Sequence, residues 1–256
     1  MRTATDDRRV LALMPHPDDM EILCAGTLIR LREAGCDVHV ATMTPGDQGS
    51  PDKPREEIAA IRREEARAGA EAIEAASFTC LEFDDVRIVF DNDARVRVAA
   101  MLRSVDPFLV ITTSPDDYMF DHVITSQLVR DACFNAPMPN YATPGDERPT
   151  SSVPYLYYTD TMEGHDIFGN RITPSLFVDI TAQMERKATA LRRHASQREW
   201  LLKQHGMDDY VGSMRRWCAL RGAEVRAEYA EAFRQHRGHP HPTDDVIAEM
   251  LRAERV

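Results

Sequence analysis

Short apolar runs alternate with longer stretches of helical periodicity along the first half of the chain. The runs that predict buried strands are Arg9–Met14, Asp37–Met43, Ser77–Phe83 and Phe108–Thr113. The stretches that predict helices are Glu21–Ala34, Arg55–Ala76, Arg95–Val105 and His122 to about Phe134. Strands that alternate with helices pair in parallel through right-handed crossovers. The pattern therefore predicts a Rossmann-like α/β fold with a doubly wound, mostly parallel sheet.

The alternation weakens in the second half of the chain. A proline-rich loop at residues 136–154 comes first, and two β-rich pieces follow it at Tyr155–Thr159 and Leu176–Ile180. The next region is mostly helical, from Thr181 to about Gln235. It ends in a tail, QHRGHPHP, at Gln235–Pro242. We expect a core of residues 1–180 and a helical extension of residues 181–256 that includes the histidine-rich tail. The extension is expected to pack on the core as one domain.

Composition and charge exclude several classes of protein. The chain has 31 lysines and arginines against 42 aspartates and glutamates, a net charge of −11, whereas nucleic-acid binding requires clustered basic charge. No stretch approaches the ~20 apolar residues of a membrane span, and the amino terminus lacks the apolar segment of a secretion signal. Five cysteines without a CxxC pair are typical of a reducing compartment. We expect a cytoplasmic protein that binds no nucleic acid and spans no membrane.

The sequence PHPDD follows the first predicted strand directly, at Pro15–Asp19. In a doubly wound sheet, ligands bind at the carboxyl ends of the strands, so His16, Asp18 and Asp19 stand where an active site is expected. One carboxylate can bind a cation beside the histidine while the other stays free to act as a base. The alternative is a turn that caps the following helix, with Asp19 as the capping residue.

A second polar motif, DDYMFDH, follows the fourth predicted strand at Asp116–His122. Because both motifs end strands of one sheet, His122 can join His16 and Asp19 in a set of three ligands. Such a set suits catalytic zinc, which takes three protein ligands and keeps a position for water, and other divalent ions accept it too. The alternative for His122 is a helix-start histidine with local hydrogen bonds.

Taken together, the motifs resemble those of the PIG-L/LmbE-like family of metal-dependent N-deacetylases, which act mainly on N-acetylglucosamine-type sugars. The matching pieces are PHPDDMEILCAGTL (Pro15–Leu28), TPGDQGS (Thr44–Ser50), IRREEARAGAEAI (Ile61–Ile73), LEFDDVRI (Leu81–Ile88), DYMFDHVITSQLVRDA (Asp117–Ala132) and HASQREWL (His194–Leu201). They keep the order of the family and cover roughly residues 9–201. Six motifs in order make the resemblance specific.

The resemblance implies a role for each matching position. The implied ligands of Zn²⁺, or of another divalent metal, are His16, Asp19 and His122. Asp18 is implied as the general base that takes a proton from the attacking water. Arg62 aligns with a sugar-binding arginine and Asp85 with an acidic residue that contacts sugar hydroxyls; the alternatives are a surface ion pair and an ordinary loop aspartate.

At one position the sequence departs from the family. The usual motif at the second site is HPDH, whose first histidine stabilises the oxyanion or protonates the leaving amine, whereas Met119 stands in its place here. A thioether is only a weak acceptor and can do neither. Three explanations are open: another side chain fills the role, the metal alone stabilises the oxyanion while water protonates the amine, or the chain binds its ligand without hydrolysis.

The histidines available to fill that role are His165, His194, His236, His239 and His241. Of these, His194 lies in a family motif, and His239 belongs to a stiff, polar tail that could fold over the site or reach that of a neighbouring subunit. The alternative for the tail is a solvated segment with incidental metal affinity. Tyr118 adjoins Met119, and its phenol could donate to a developing oxyanion.

The function that this reading favours is removal of an acetyl group from an N-acetylated aminosugar or its conjugate. Two alternatives remain: hydrolysis of an amide within a thiol–sugar conjugate, and metal-dependent sugar binding without turnover. A dinucleotide-dependent dehydrogenase is disfavoured because no GxGxxG follows the first strand. The expected partner is a small aminosugar or glycoconjugate, and assembly into a homo-oligomer is left open.

Overall fold

The computed structural model of the chain describes residues 8–205, 209–252 and 254–255. Within these residues the strands are β1 (Arg9–Met14), β2 (Asp37–Thr42), β3 (Ser77–Cys80), β4 (Leu109–Thr112), β5 (Tyr155–Thr159), β6 (Leu176–Asp179), β7 (Ala230–Gln235) and β8 (Glu254–Arg255). The helices are α1 (Asp19–Leu23), α2 (Ala25–Glu33), α3 (Arg55–Ala72), α4 (Asn92–Val105), α5 (Phe120–Asn135), α6 (Met184–Leu191), α7 (Ala195–His205), α8 (Tyr210–Glu224) and α9 (Val246–Leu251).

The described strands form one sheet in the order β3-β2-β1-β4-β5-β7-β6-β8. The pairs β1–β2, β1–β4, β2–β3 and β4–β5 are parallel, and β7 runs antiparallel to both β5 and β6. The prediction of a mostly parallel α/β sheet is thus confirmed. Because the chain leaves β1 toward β2 and later returns to β4 on the other side, the carboxyl ends of β1 and β4 border a crevice suited to ligand binding.

Both faces of the sheet are covered, and β1 shows how the sequence achieves this. Alternate side chains of a strand point to opposite faces. Val10, Ala12 and Met14 accordingly join one apolar cluster, while Leu11 and Leu13 join the cluster on the other face. A strand buried on both sides reads as a continuous apolar run, which is why RVLALM was recognisable in the sequence.

Two predicted helical segments differ from the structure. The helix predicted at Glu21–Ala34 is interrupted at Cys24, and the region predicted as mostly helical from Thr181 to about Gln235 contains β7. One carboxylate links the two differences, because Glu231 of β7 accepts hydrogen bonds from the amides of Gly26 (2.8 Å) and Thr27 (2.7 Å). A side chain some 200 positions away thus satisfies the start of α2, which local periodicity does not reveal.

The elements after β6 pack against the sheet and the first helices. Lys187 of α6 is fully buried, and its ammonium donates to the carbonyl of Ile22 in α1 (2.8 Å) and pairs with Glu231. This buried pair ties α6 and β7 to the segment that follows PHPDD. None of the described helices combines the length and apolar character needed to cross a membrane.

Candidate active site

Three polar side chains meet at the carboxyl ends of β1 and β4. His16 Nδ1 lies 3.3 Å from Asp19 Oδ2, and His122 Nε2 lies 3.5 Å from Asp19 Oδ1. One ligand atom from each of the three lies within 4.8 Å of the others, and all three side chains are buried. The structure therefore brings together the three residues expected to bind a metal. His16, Asp19 and His122 are together called the metal cluster.

Further carboxylates hold the outer nitrogens of both imidazoles. His16 Nε2 lies 3.1 Å from Asp85 Oδ1 and 3.3 Å from Asp121 Oδ2, and His122 Nδ1 lies 3.2 Å from Asp117 Oδ2. Histidines that bind metals in proteins commonly have such a carboxylate behind them, which fixes the ring and its tautomer. The inner nitrogens, Nδ1 of His16 and Nε2 of His122, are left facing Asp19.

The charge balance of this cluster favours a cation. Burial alone would lower the pKa of His16, but hydrogen bonds to Asp121, Asp19 and Asp85 outweigh it and raise the pKa well above the ordinary value. Buried carboxylates are costly unless paired with positive charge or a metal. With two imidazole nitrogens and a carboxylate facing one point, the donor set fits a divalent ion of the zinc type.

Asp18 turns away from the cluster that its neighbour Asp19 joins. Its backbone adopts a left-handed conformation (φ 91°), uncommon for a residue with a side chain and typical of functional sites. Its carboxylate accepts a hydrogen bond from the hydroxyl of Tyr210 and lies 3.4 Å from Arg62 Nη2. The structure thus separates the two aspartates of the motif.

The two adjacent aspartates also have opposite pKa shifts. Burial raises the pKa of Asp18, and the charge of Arg62 opposes this without cancelling it. Burial acts on Asp19 in the same direction, but its two histidine neighbours outweigh it and lower the pKa. A pair of carboxyl groups pushed apart in this way is typical of a proton-transferring group beside one that stays ionised.

Arg62, expected to bind a sugar, lies buried beneath the loop that follows β2. Its guanidinium donates to the carbonyls of Gly46 (3.1 Å) and Pro17 (3.0 Å). A Cβ at Gly46 or Gly49 would overlap that guanidinium, so the glycines of TPGDQGS are needed for this close approach. Arg62 joins the loop to the PHPDD turn, and a contact with substrate stays a prediction.

Asp85, expected to contact sugar hydroxyls, is likewise buried and already engaged. One oxygen lies 3.1 Å from His16 Nε2, and the other accepts a hydrogen bond from the amide of Gln48 (3.1 Å). The next residue, Val86, has a left-handed backbone (φ 55°). Its amide nitrogen donates a hydrogen bond to Asp121 Oδ2 (2.8 Å), which holds this conformation. Asp85 supports the metal cluster, and its contact with a sugar stays a prediction.

These groups line a cavity of about 520 Å³. Its polar end contains the metal cluster together with Asp18, Arg62 and Asp85. The apolar side chains of its lining are Ile22, Val86, Met119, Met162, Trp200, Leu201 and Trp217. A cavity with a few convergent polar groups and an apolar wall is the usual form of a small-molecule site.

Comparison with known proteins supports the resemblance that the motifs indicate. Residues 11–133 match the sequence profile described as PIG-L: GlcNAc-PI de-N-acetylase. A diacetylchitobiose deacetylase of Thermococcus kodakarensis is 29% identical over 203 residues, which span 75% of this chain and 71% of the relative. The predicted resemblance to the PIG-L/LmbE-like family is therefore confirmed.

Solved structures of similar proteins share the fold. The N,N'-diacetylchitobiose deacetylase of Pyrococcus horikoshii has a TM-score of 0.78 and 26% identity, and the match covers 95% of this chain and 90% of that one. Another relative, named 4-oxalmesaconate hydratase, of Pseudomonas putida, is 27% identical over 201 residues and 75% of each chain. The names of these similar proteins thus include both deacetylases and a hydratase.

The second motif of this chain departs from HPDH at an exposed edge of the cavity. Met119 lines the cavity, and its amide donates to Asp117 Oδ1 (3.1 Å). Tyr118 is 66% exposed, with its ring centred 6.0 Å from that of His122. Tyr118 is therefore placed at the rim of the cavity, and its donation to an oxyanion stays a prediction.

His194 does not line this cavity. It is 1% exposed, and its Nε2 lies 3.0 Å from Glu21 Oε1. The carboxylate of Glu21 raises the pKa of His194 against the lowering effect of burial. Since neither His194 nor Glu21 lines the cavity, the structure does not bring this histidine to the reacting atoms.

The tail histidines lie at the other end of the sheet. His236 donates its amide to the carbonyl of Leu156 in β5, and His241 Nδ1 lies 2.9 Å from the carbonyl of Pro154, just before that strand begins. His239, between them, is exposed. The site residues follow the carboxyl ends of the parallel strands, so the fold of the chain does not bring His239 to them. His165 is exposed and lines a neighbouring cavity.

Sequence reasoning missed three polar residues of the site. Asp117 and Asp121 stand within the DDYMFDH motif, so their carboxylates could have been proposed as partners of the histidines. Tyr210 had no such signal, because it lies in α8, 192 positions from Asp18. Only the packing of α8 over the PHPDD turn brings its hydroxyl to that carboxylate.

Proposed function

We propose that this chain is a divalent-metal-dependent N-deacetylase that removes the acetyl group from an N-acetylglucosamine-type sugar or conjugate, with zinc as the metal. The observation that carries the proposal is that the two adjacent aspartates have different surroundings. Asp19 faces two imidazole nitrogens, whereas Asp18 faces Tyr210 and Arg62. The match to the PIG-L profile and the deacetylases among the similar proteins support the same reaction.

The ligands in this proposal are His16, Asp19 and His122. A divalent ion bound there supplies a Lewis acid that activates water and polarises the amide carbonyl. Asp117 and Asp85 hold the outer nitrogens of the two imidazoles so that the rings keep their orientation. The remaining chemistry falls to the side chains around Asp18.

Asp18 takes a proton from the attacking water, whose oxygen forms the new bond to the acetyl carbon. The carbon–nitrogen bond then breaks, and Asp18 returns the proton to the nitrogen of the departing amine. Its raised pKa suits both steps. This shuttle needs no histidine at position 119, and Tyr118 is the proposed donor to the oxyanion at the rim.

The test is acetate release from a panel of N-acetylglucosaminides by zinc-loaded protein, beside the Met119→His variant. We expect the wild-type chain to release acetate, and His194→Ala and His239→Ala to leave the proton shuttle intact. Release by Met119→His alone would show that Asp18 does not supply the amine proton. Cleavage of a thiol–sugar amide, or hydration of 4-oxalmesaconate, without release of acetate would overturn the proposal.

Zinc-dependent binding of the glycosides without any turnover would instead favour a sugar-binding protein. In that outcome, Asp18→Asn would bind the ligand as the wild-type chain does. The zinc assignment is tested separately by metal analysis and by competition with other divalent ions. We expect zinc to bind most tightly among zinc, magnesium and calcium, because imidazole nitrogen is a poor ligand for the latter two.

A further inference from the structure

A second cavity, of about 190 Å³, adjoins the candidate active site. Ile22, Met162 and Trp217 line both cavities and form the wall between them. The other apolar side chains of this second cavity are Leu23, Leu220, Ala230 and Ala232. An apolar cavity of about 150 Å³ accepts benzene, so this one has room for a group of about six carbons.

Four of the charged side chains that line this cavity are paired with one another. Arg221 donates to both carboxylate oxygens of Asp160 (2.6 and 3.0 Å) and to Glu224 (2.9 Å), which also pairs with Arg171 (2.6 Å). A polar ligand would have to displace these partners, at the cost of leaving buried charges unpaired. An apolar ligand gains from leaving water without disturbing them.

The same arginine holds the loop that borders the cavity. Arg221 also donates to the carbonyls of Gly164 (3.5 Å) and Ile172 (3.1 Å), at either end of the loop that covers the cavity. Gly164 has a left-handed backbone (φ 70°), and a Cβ there would overlap the guanidinium. Arg221 thus ties both ends of this loop to α8, and the loop residues Gly164, His165 and Arg171 form one side of the cavity.

We propose that this second cavity binds an apolar aglycone, an alkyl or aromatic group attached to the sugar whose acetamide reaches the metal cluster. The assignment rests on the proposed deacetylase function and names the substrate class that the function would serve. Trp217 and Met162 are the specificity-determining residues, because they touch both the sugar side and the aglycone side of the wall.

The experiment compares three probes: methyl N-acetyl-β-glucosaminide, its hexyl counterpart and N,N'-diacetylchitobiose. Calorimetry on the zinc-loaded chain measures binding, and acetate release is followed separately. We expect the hexyl glycoside to bind at least about tenfold more tightly than the methyl glycoside, since each buried methylene contributes about fourfold. Equal affinity for these two, or tighter binding of the disaccharide than of the hexyl glycoside, would overturn the assignment.

Variants locate the effect. Trp217→Ala is expected to reduce the hexyl preference to less than about threefold, and Leu220→Ser, at a side chain 60% exposed and safe for folding, is expected to reduce it in part. Leu202→Ala, on an exposed leucine outside both cavities, is the matched control and keeps the full preference. A preference that survives both Trp217→Ala and Leu220→Ser would place the alkyl group elsewhere and overturn the proposal.

The two readouts separate this inference from the proposed function. If none of the glycosides releases acetate while the hexyl preference persists in binding, the deacetylase proposal fails and the apolar subsite stands. If acetate is released from all three with the same KM, the deacetylase proposal stands and the subsite fails.

Discussion

Two pairs of neighbouring histidines in the described part of the chain differ in their surroundings. The rings of His16 and His122 are centred 5.4 Å apart, and those of His236 and His241 are centred 4.5 Å apart. The first pair has Asp19 between its rings and further carboxylates on the outer nitrogens. The second pair contacts the hydroxyl of Tyr158 and a backbone carbonyl instead.

Opposite pKa shifts follow from these surroundings. Carboxylates raise the pKa of His16 well above its ordinary value despite burial, whereas burial lowers the pKa of His241 to about 4. The positive charge of Arg130 lowers it further and also opposes protonation of His236. Two close imidazoles therefore do not favour a cation on their own, whereas the buried anionic oxygens around the first pair do.

The largest effect is expected at Asp18, the proposed base beside His16 and His122. Asp18→Asn is expected to lower the rate of acetate release by about 10³-fold, because an amide cannot take a proton from water. Zinc content should stay near one ion per chain, since the Asp18 carboxylate faces Tyr210 and Arg62. Turnover at the wild-type rate would show that another group is the base.

The next effect concerns the carboxylates behind the rings. Asp117→Asn is expected to weaken zinc binding by about 10- to 100-fold, because the carboxylate fixes the orientation of His122. The paired change His236→Gln with His241→Gln should alter zinc affinity by less than about twofold. Competition against a chelator measures the zinc affinity of both variants. A larger loss of affinity in the His236/His241 variant than in Asp117→Asn would show that the tail pair, and not the first pair, binds the metal.

A smaller effect is expected at Tyr210, which has no counterpart at the tail pair. Tyr210→Phe removes one hydrogen bond to the carboxylate of Asp18 and is expected to lower kcat about 10- to 30-fold. KM should change by less than about twofold, since the phenol is expected to orient the base without binding the sugar. A rise in KM at constant kcat would assign Tyr210 to substrate binding instead.

The smallest effect is on stability at the tail pair. An exposed histidine has a pKa near 6.5, and the pKa of His241 in the fold is about 4. Between these values the unfolded chain binds a proton that the folded chain does not, so the free energy of unfolding falls as the pH drops through this window.

Between about pH 7 and pH 5, we expect the free energy of unfolding to fall by about 1.5 kcal/mol less in His241→Gln than in the wild-type chain. Urea unfolding at the two pH values measures it, and His239→Gln, at the exposed neighbour, is the control. A decrease that is the same in wild type and His241→Gln would mean that this histidine is not buried in its neutral form.

Much of the fold and half of the candidate site could be predicted from local sequence. Apolar runs followed by helical periodicity indicated the parallel sheet, and the two motifs placed His16, Asp19 and His122 at neighbouring strand ends. These predictions succeeded because each depends on residues a few positions apart, and because a parallel sheet collects the carboxyl ends of its strands at one edge.

Tertiary structure alone decided the rest. It placed the hydroxyl of Tyr210 on Asp18 and the carboxylate of Glu231 on the start of α2, and it carried the tail histidines to the opposite end of the sheet. The strand β7 escaped prediction because its residues, AEAFRQ, favour a helix locally, while pairing with β5 and β6 holds them extended. Such contacts join residues far apart in the chain, and their energy comes from packing and burial that no local pattern of side chains encodes.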